Sequence, residues 1–366
     1  MAFQDWANRV QANPRFRRFA AAFPLTRFVA RKRARALFDL CAGFVYTQVL
    51  TACVRLDLFR ALEAGPRTAS DLARQFGLEE AATIKLLDAA VSLKLAARRS
   101  GGRYGLGQLG CAMLGDPGIP AMVAHHAALY ADLRDPVALL KGAKPGALAG
   151  AWPYAGSDAP AALTEAHVAD YTQLMSVSQS FVAEEVIAAY DFRRHRCVMD
   201  VGGGDGTFLS AVARAVPDTR LTLVDLPPVA ARAAARFEAA GLSGRATANG
   251  CDAIAGPLPS GADLVSFVRV LHDHNDDAVL AFLRNAHAAL PPGGVLLIAE
   301  PLSGTPGAEP IGDAYFGFYF LAMGQGSSRT AARLNELANA AGFTPLQERQ
   351  TRLPILVRVL VGTKPP

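Results

Sequence analysis

Cysteine and long apolar runs are both scarce in this sequence of 366 residues. The five cysteines are odd in number, scattered and without CxxC spacing, which argues against a disulfide framework or a structural zinc site. The longest uncharged stretch near the start, residues 40–54, is shorter than the roughly 20 apolar residues that cross a bilayer, and it predicts a buried helix. Since no signal-peptide pattern precedes that stretch, we expect a reduced, cytoplasmic protein.

Basic charge is concentrated at one end of the chain. Residues 1–40 hold nine basic and two acidic residues, whereas the other 326 residues hold 28 basic and 30 acidic ones. The nearly neutral body argues against a nucleic-acid partner. The N-terminal segment interleaves its arginines with six aromatic residues, Phe3, Trp6, Phe16, Phe19, Phe23 and Phe28. This composition suits peripheral contact with an anionic membrane, or a solvated helix whose aromatic residues pack on a partner subunit.

Apolar patterning divides the chain into three predicted segments. They are a basic aromatic arm (1–40), a helical domain (41–190) and an α/β domain (191–366). Dense apolar residues over 38–62 predict one long helix with too little polar face to stand in water. We therefore expect a homodimer built on the N-terminal domain.

Residues 68–106 follow the order helix, helix and hairpin. A helix closed by Gly77 precedes a second helix over 79–95, and the hairpin over 98–106 has Gly101 and Gly102 at its turn. This order is typical of a winged helix, a motif that often binds DNA. The second helix has three acidic residues against two lysines, so it offers little to phosphates. We expect an all-helical winged-helix dimerisation domain, with a DNA-binding regulator as the weaker alternative.

After residue 191, short apolar strands alternate with helices. This alternation predicts a parallel, doubly wound, Rossmann-like α/β sheet. The predicted strands are 197–201, 220–224, 263–270 and 295–299, with helices starting at Thr207, Val229 and Asp276.

A glycine loop, Asp-Val-Gly-Gly-Gly-Asp-Gly at 200–206, lies between the first strand and the first helix. It lacks the last glycine of the dinucleotide fingerprint GxGxxG, because Thr207 stands there. Asp200 would repel a pyrophosphate, but it suits a ligand with a cationic amino-acid end. Asp225, 23 residues after Gly202, ends the second strand and can accept hydrogen bonds from ribose hydroxyls. The pattern predicts S-adenosylmethionine (SAM) on Asp200, Gly202, Gly204 and Asp225.

Two further residues are weaker candidates for the same ligand. Asp252, in the Gly-Cys-Asp turn at 250–252, would meet the adenine or ribose. Arg269 would contact the cofactor or the sheet edge, with a plain salt bridge as the alternative.

These motifs resemble those of the SAM-dependent O-methyltransferases of the plant caffeate and hydroxyindole type. The matching segments are 200–206, Val-Asp-Leu-Pro (224–227), Arg-Val-Leu-His-Asp-His-Asn-Asp (269–276), Ala-Leu-Pro-Pro-Gly-Gly (289–294) and Ala-Glu-Pro (299–301). The resemblance covers roughly residues 40–366. It implies a winged-helix dimerisation domain followed by a Rossmann-like catalytic domain.

The resemblance places the catalytic base at His272 and one carboxylate that orients it at Glu300, 28 residues downstream. His274 stands where the family usually has tryptophan, and Ser328 stands where it has a second orienting glutamate. The sequence therefore lacks one of the two carboxylates that orient the base in this family. His272 and His274 also resemble a metal cluster, but on a helix they would point about 200° apart, so we expect no metal.

Three stretches, 23–38, 269–274 and 312–324, further resemble the carotenoid O-methyltransferases of purple photosynthetic bacteria. That resemblance implies methylation of the tertiary hydroxyl of an acyclic hydroxycarotenoid such as demethylspheroidene or hydroxyneurosporene. The alternatives are a phenolic or polyketide acceptor, or a diverted relative that hydroxylates or decarboxylates. Apolar residues on every face of a helix near 315–323 indicate core or an apolar site. Its candidate substrate contacts are Phe316, Tyr319, Phe320 and Met323.

Overall fold

The computed structural model describes residues 2–115, 118–144, 146–151 and 165–366. The chain divides into two compact units, Met1–Asp116 and Pro117–Pro366.

The first unit is mainly helical. Its helices are α1 (Ala2–Ala12), α2 (Pro14–Ala22), α3 (Arg27–Arg55), α4 (Leu58–Glu63), α5 (Ala69–Phe76), α6 (Glu80–Ser92) and α7 (Gln108–Gly115). A two-stranded antiparallel hairpin, β1 (Ala96–Arg99) and β2 (Arg103–Leu106), stands between α6 and α7. The predicted helix that ends at Gly77 is confirmed: Thr68 caps α5 by accepting a hydrogen bond from the Asp71 amide, and Gly77 adopts the left-handed conformation. The predicted hairpin is also confirmed.

The single helix predicted over 38–62 is wrong. α3 begins earlier, at Arg27, and the helix breaks at Asp57, whose φ of 53° is left-handed. The buried helix expected over 40–54 is also largely exposed in the single chain, with Leu40 82% and Phe44 68% exposed and only Cys53 of α3 buried. Among the described residues, α3 is the one helix whose length and composition would allow it to cross a membrane, a test that core helices and signal sequences also pass.

The second unit is an α/β layer structure. Its helices are α8 (Gly118–Asp132), α9 (Pro136–Leu140), α10 (Ala147–Ala151), α11 (Glu165–Ala189), α12 (Thr207–Ala215), α13 (Pro227–Ala239), α14 (Asp276–Ala289), α15 (Phe316–Met323) and α16 (Ala331–Ala340). Its strands are β3 (Cys197–Val201), β4 (Arg220–Asp225), β5 (Ala246–Gly250), β6 (Leu264–Val268), β7 (Val295–Glu300), β8 (Gln347–Arg349) and β9 (Arg358–Thr363).

The strands form one sheet in the order β5-β4-β3-β6-β7-β9-β8. Strands β3 to β7 are parallel, as expected for the sheet, although β5 was not among the predicted strands. Strand β9, which pairs antiparallel with both β7 and β8, was not predicted either. Alternate strand residues face two different apolar clusters: Met199 and Phe267 belong to one, Val198 and Leu264 to the other. Both faces of the sheet are therefore covered, as parallel sheets require.

The boundary between the two units differs from the one we predicted. Residues 117–190, expected with the N-terminal domain, group with the α/β unit. The cause is the packing of α11 on α12, where Val182, Ala183 and Val186 join the apolar cluster on one face of the sheet.

The order of the sheet sets the position of the site. β3 has β4 on one side and β6 on the other, so the chain reverses its direction of travel across the sheet at β3. A crevice opens at such a point, outside the carboxyl ends of the strands. The glycine loop that follows Val201 lies there.

Gly110 in α7 provides a test of the packing in the first unit. A Cβ at Gly110 would lie 2.1 Å from the backbone oxygen of Leu95, whereas a Cβ at Gly115 of the same helix would meet nothing within 4 Å. We expect Gly110→Ala to lower the free energy of unfolding by about 1–3 kcal/mol, and Gly115→Ala to leave it nearly unchanged. Urea denaturation of the full chain measures both, and equal midpoints would contradict this packing.

Candidate active site

The glycine loop contains one glycine that packing requires and one that has open space beside its backbone. Gly202 and Gly204 both have left-handed φ angles, 69° and 60°. A Cβ at Gly202 would lie 2.6 Å from Cγ2 of Val270, whereas a Cβ at Gly204 would meet nothing within 4 Å. Gly202 thus lets the loop approach the end of β6, and Gly204 leaves backbone accessible to a ligand.

A cavity of about 370 Å³ lies against this loop. The structure brings five of the predicted ligand contacts into its wall: Gly202, Gly204, Asp225, Asp252 and Arg269. Asp252 also accepts hydrogen bonds from the amides of Ile254 and Ala255, at 2.9 and 3.3 Å, which fixes its carboxylate in the turn after β5.

Asp225 ends β4 with its carboxylate at the cavity. One oxygen accepts the amide of Gly204 at 2.8 Å, and the other accepts the amide of Leu226 at 2.7 Å. Burial raises the pKa of Asp225 to about 6, although the two amide hydrogen bonds oppose the rise. The group is therefore mostly ionised at neutral pH, with lone pairs left to accept from a ligand.

Asp200 lies elsewhere than the prediction implied. It is 1% exposed and outside the cavity wall, where Ser266 donates to its carboxylate at 2.7 Å. Burial raises the pKa of Asp200 to about 8, so the group is mostly protonated at neutral pH. Its carboxyl lies directly under the loop, where a Cβ at Gly203 would be 2.8 Å from its Oδ2. Asp200 thus packs against the glycine loop and does not line the cavity.

Arg269 faces the cavity from a strained backbone. Its φ of 59° is left-handed, which is uncommon for a residue with a long side chain. Its guanidinium donates to Oγ of Ser178 on α11 at 2.8 Å and contacts Sδ of Met175 at 3.6 Å. These partners are neutral, so the positive charge stays available to the cavity.

His272 and Glu300 meet as the sequence predicts. His272 lies in a short turn, Leu271–Asp273, just after β6 and is 8% exposed. Its Nδ1 is hydrogen-bonded to Oε2 of Glu300, at the end of β7. Oε1 of Glu300 accepts the amides of Val270 and Leu271 at 2.9 and 2.7 Å. One carboxylate therefore fixes both the imidazole and the turn that carries it.

Asp273 lies against His272, a contact that the sequence motifs did not predict. Its Oδ1 lies 3.2 Å from Nε2 of His272, on the opposite side of the ring from Glu300. Burial lowers the pKa of His272, but the carboxylates of Glu300 and Asp273 outweigh it and raise that pKa to about 10. The imidazole is therefore protonated in this arrangement. The absence of a glutamate at position 328 was the signal that another carboxylate had to be sought.

Ser328 does not take the place of that glutamate. Its Oγ is buried without a hydrogen-bond partner among the described residues. Instead, the neighbouring Ser327 amide donates to the backbone oxygen of His272 at 2.8 Å. Arg329, which is buried, donates to the backbone oxygens of Leu271 and His274 at 2.8 and 2.6 Å. This segment holds the backbone of the catalytic turn and not its imidazole.

His274 lies in the wall of the cavity, and its ring packs edge-on against Phe282, with centroids 5.0 Å apart. Burial lowers the pKa of His274, so it is neutral at pH 7. Among the described residues, no group of His, Cys, Asp and Glu is placed to hold a metal ion.

The aromatic helix packs beside His272 and joins a buried apolar cluster, and Phe320 belongs to both groups of contacts. A π-helical turn, Pro310–Tyr315, leads into α15. The rings of Phe316 and Phe320 stack on each other and lie 6.1 and 5.4 Å from the His272 ring. Tyr319 and Met323 are buried in a cluster with residues of α8, α9 and α10. Of the four predicted substrate contacts, two therefore lie beside the imidazole.

Two histidines of α8, His125 and His126, form hydrogen bonds with α15 and the turn before it. Nε2 of His125 is hydrogen-bonded to the Tyr319 hydroxyl at 2.9 Å, and Nε2 of His126 to the Tyr315 hydroxyl at 2.8 Å. Burial lowers the pKa of both histidines, so the pairs are neutral and fit an apolar surrounding.

Comparison with known proteins decides what this arrangement belongs to. Residues 131–344 match the family model of the O-methyltransferase domain, and residues 38–116 match the O-methyltransferase dimerisation domain. A demethylspheroidene O-methyltransferase of Cereibacter sphaeroides is 41% identical over 98% of this chain and 94% of its own. The chain belongs to the family of SAM-dependent O-methyltransferases.

This methyltransferase is also similar to proteins with other named substrates. An acetylserotonin O-methyltransferase of Mus musculus molossinus is 33% identical over 87% of this chain and 86% of its own. The solved structure of CalO1, a methyltransferase of calicheamicin biosynthesis with SAH bound, covers 92% of this chain and 98% of its own, at 27% identity and a TM-score of 0.76.

The residues at the cavity fit SAM. The ionised Asp225 can accept from the ribose hydroxyls, the open backbone at Gly204 allows close approach, and the free charge of Arg269 suits the carboxylate of the amino-acid end.

Asp225 offers a test of this fit. We expect Asp225→Ala to weaken SAM binding by about 1.5–3 kcal/mol, because the ribose loses a charged acceptor. Asp225→Asn keeps one acceptor oxygen and should lose less. Titration calorimetry measures the affinity, with the exposed Asp218→Ala as a control of equal charge change. Unchanged affinity in Asp225→Ala would remove this residue from the site.

Proposed function

We propose that this methyltransferase transfers the methyl group of SAM to the tertiary hydroxyl of an acyclic hydroxycarotenoid, of the demethylspheroidene or hydroxyneurosporene kind. The observation that carries the proposal is the near full-length alignment with two proteins named demethylspheroidene O-methyltransferase, at 41% and 39% identity. The apolar rings of Phe316 and Phe320 beside His272 support it, because a polyene offers apolar surface and little else.

SAM carries its methyl group on a positively charged sulfonium sulfur, so the leaving group in methyl transfer is a neutral thioether. The protein has three tasks: it aligns the acceptor oxygen with that methyl group, excludes water and removes a proton. We assign the first two tasks to the glycine loop, Arg269 and the aromatic rings, and the third to His272.

The proton has to leave during methyl transfer. The pKa of a tertiary alcohol lies far above that of an imidazole, so the alkoxide does not form beforehand. As the O–C bond forms, the hydroxyl proton passes to Nε2 of His272, while Glu300 keeps the proton on Nδ1. Before this step the imidazolium must lose its Nε2 proton to solvent, and the acceptor hydroxyl must replace Asp273 at Nε2. Asp273 then lies close to the imidazolium that results and stabilises it.

His272 is the residue on which this assignment depends. We expect His272→Ala to lower turnover by a factor of about 10²–10⁴ and to leave SAM affinity intact, because a base acts on the acceptor and not on the cofactor. His274→Ala serves as the control and should lose much less. Product formation from labelled SAM measures the rate. A variant that keeps more than about a third of wild-type turnover would place the base elsewhere.

A separate prediction concerns Asp273 and the dependence of kcat/KM on pH. Activity requires unprotonated His272. The acid limb of the plot of kcat/KM against pH should therefore lie above the ordinary histidine pKa of ~6.5. Asp273→Asn removes one of the two carboxylates that raise the pKa of His272, and the limb should move to lower pH. Ser328→Glu in the Asp273→Asn background should return it toward the wild-type position. An unmoved limb in Asp273→Asn would show a purely structural role for Asp273.

The substrate itself is tested with a panel. Incubation with labelled SAM, hydroxycarotenoids and phenols, followed by product identification, should give label on the tertiary ether of the carotenoid. Label on phenols alone would support the second candidate, a phenolic or polyketide acceptor, which relatives such as the acetylserotonin O-methyltransferases favour. A diverted function is favoured by one relative, an aclacinomycin 10-hydroxylase, 36% identical over 53% of this chain. His272 argues against it, because a diverted enzyme would not need the base.

We further propose a cytoplasmic homodimer built on the first unit. Residues 38–116 match the dimerisation domain of the family, and α3 leaves Phe38, Leu40 and Phe44 exposed in the single chain. A second copy would cover this apolar surface.

A further inference from the structure

We propose that the basic arm, defined here as residues 2–36, docks this enzyme on the surface of an anionic phospholipid bilayer. The arm comprises α1, α2 and the first turns of α3, and it precedes the segments that match the family models. It carries nine basic residues and one acidic residue.

α2 has the two faces of a helix that lies in a membrane interface. Phe16 and Phe19 lie three residues apart on one side of α2, and Phe23, which follows the helix, stacks on Phe19 with ring centroids 5.4 Å apart. They are 40%, 59% and 41% exposed, and no residue of α2 is buried. The remaining circumference carries Arg15, Arg17 and Arg18. An apolar aromatic face beside arginines suits the boundary between headgroups and acyl chains.

The neighbouring helices extend the same surface. Trp6 on α1 is 61% exposed, and Phe28 near the start of α3 is 67% exposed. Arg27, Arg31 and Arg35 lie at four-residue spacing along one side of α3. Tryptophan and arginine at the edge of an apolar face are typical anchors at a membrane–water interface.

Charge favours a bilayer over a second copy of the chain as the occupant. Two arms would repel each other, and the rest of the chain, with 28 basic and 30 acidic residues beyond position 40, offers the arm little attraction. A leaflet rich in anionic lipid attracts each basic residue near its surface by roughly a factor of five in binding.

The arm is part of the alignment with one relative. The relative named for demethylspheroidene aligns with 98% of this chain, which leaves too few residues unaligned to omit the arm. The reason for docking, access to an acceptor dissolved in lipid, rests on the proposed function, but docking itself does not.

Vesicle sedimentation of the full chain tests the proposal. We expect binding to vesicles of phosphatidylcholine with phosphatidylglycerol, and weak binding to vesicles of phosphatidylcholine alone. Raising the salt concentration from about 0.1 M to about 1 M should release the protein, because the Debye length shortens from roughly 10 to 3 Å. Replacing Arg15, Arg17 and Arg18 by Gln should weaken binding about 100-fold. The matched control replaces Arg193, Arg194 and Arg196, an exposed arginine cluster of the second unit, and should bind like wild type.

Four results would overturn the proposal. They are no binding to either vesicle, equal binding to both, equal loss in the control variant, and protein that stays bound at high salt and alkaline pH, which would indicate insertion of α3. Sedimentation velocity of the arm variant should give the wild-type oligomer, and a dissociated variant would assign the arm to the subunit interface instead. Methyl transfer to a detergent-dissolved acceptor should be unchanged in the arm variant, so failure of the proposed substrate would appear there and not in the vesicle result.

Discussion

The Glu300 carboxylate is the interaction on which the catalytic geometry depends. It accepts two backbone amides of the turn after β6 and the Nδ1 proton of His272, so three hydrogen bonds converge on one buried group at the end of β7. Because β6 and β7 are paired neighbours in the sheet, their register sets the distance between carboxylate and imidazole. The orientation of the His272 imidazole is thus a property of the sheet, and Arg329 adds hydrogen bonds to the backbone oxygens of Leu271 and His274.

The sequence allowed the chemistry at strand ends to be predicted, because the motif and the strand that carries it are adjacent in the chain. Gly202, Asp225 and Glu300 each follow a short apolar run, and parallel strands bring their carboxyl ends to one edge. The contact between Asp273 and Nε2 of His272 was beyond such reasoning, since it depends on the backbone angles of a three-residue turn. Asp200 was misplaced for a related reason: its motif position is right, but burial under the loop removes it from the cavity wall.

The errors in the predicted fold also come from tertiary packing that the sequence does not show. The break between α3 and α4 falls at Asp57, where neither glycine nor proline marks a helix end. The boundary between the two units near residue 117 depends on the packing of α11 against α12. The antiparallel direction of β9 depends on a reversal of the chain near the C-terminus. None of these contacts has a local signature in hydrophobic periodicity.

The backbone of Arg269 has a consequence for how this enzyme could change. A left-handed φ at a residue with a long side chain stores strain, and the anchoring of its guanidinium on α11 holds it there. Glycine at this position would relieve the strain and would also remove the charge that faces the cavity. Under the proposed role of Arg269 in cofactor binding, selection for thermal stability and selection for activity would therefore favour different residues at position 269, and a single substitution there would separate the two properties.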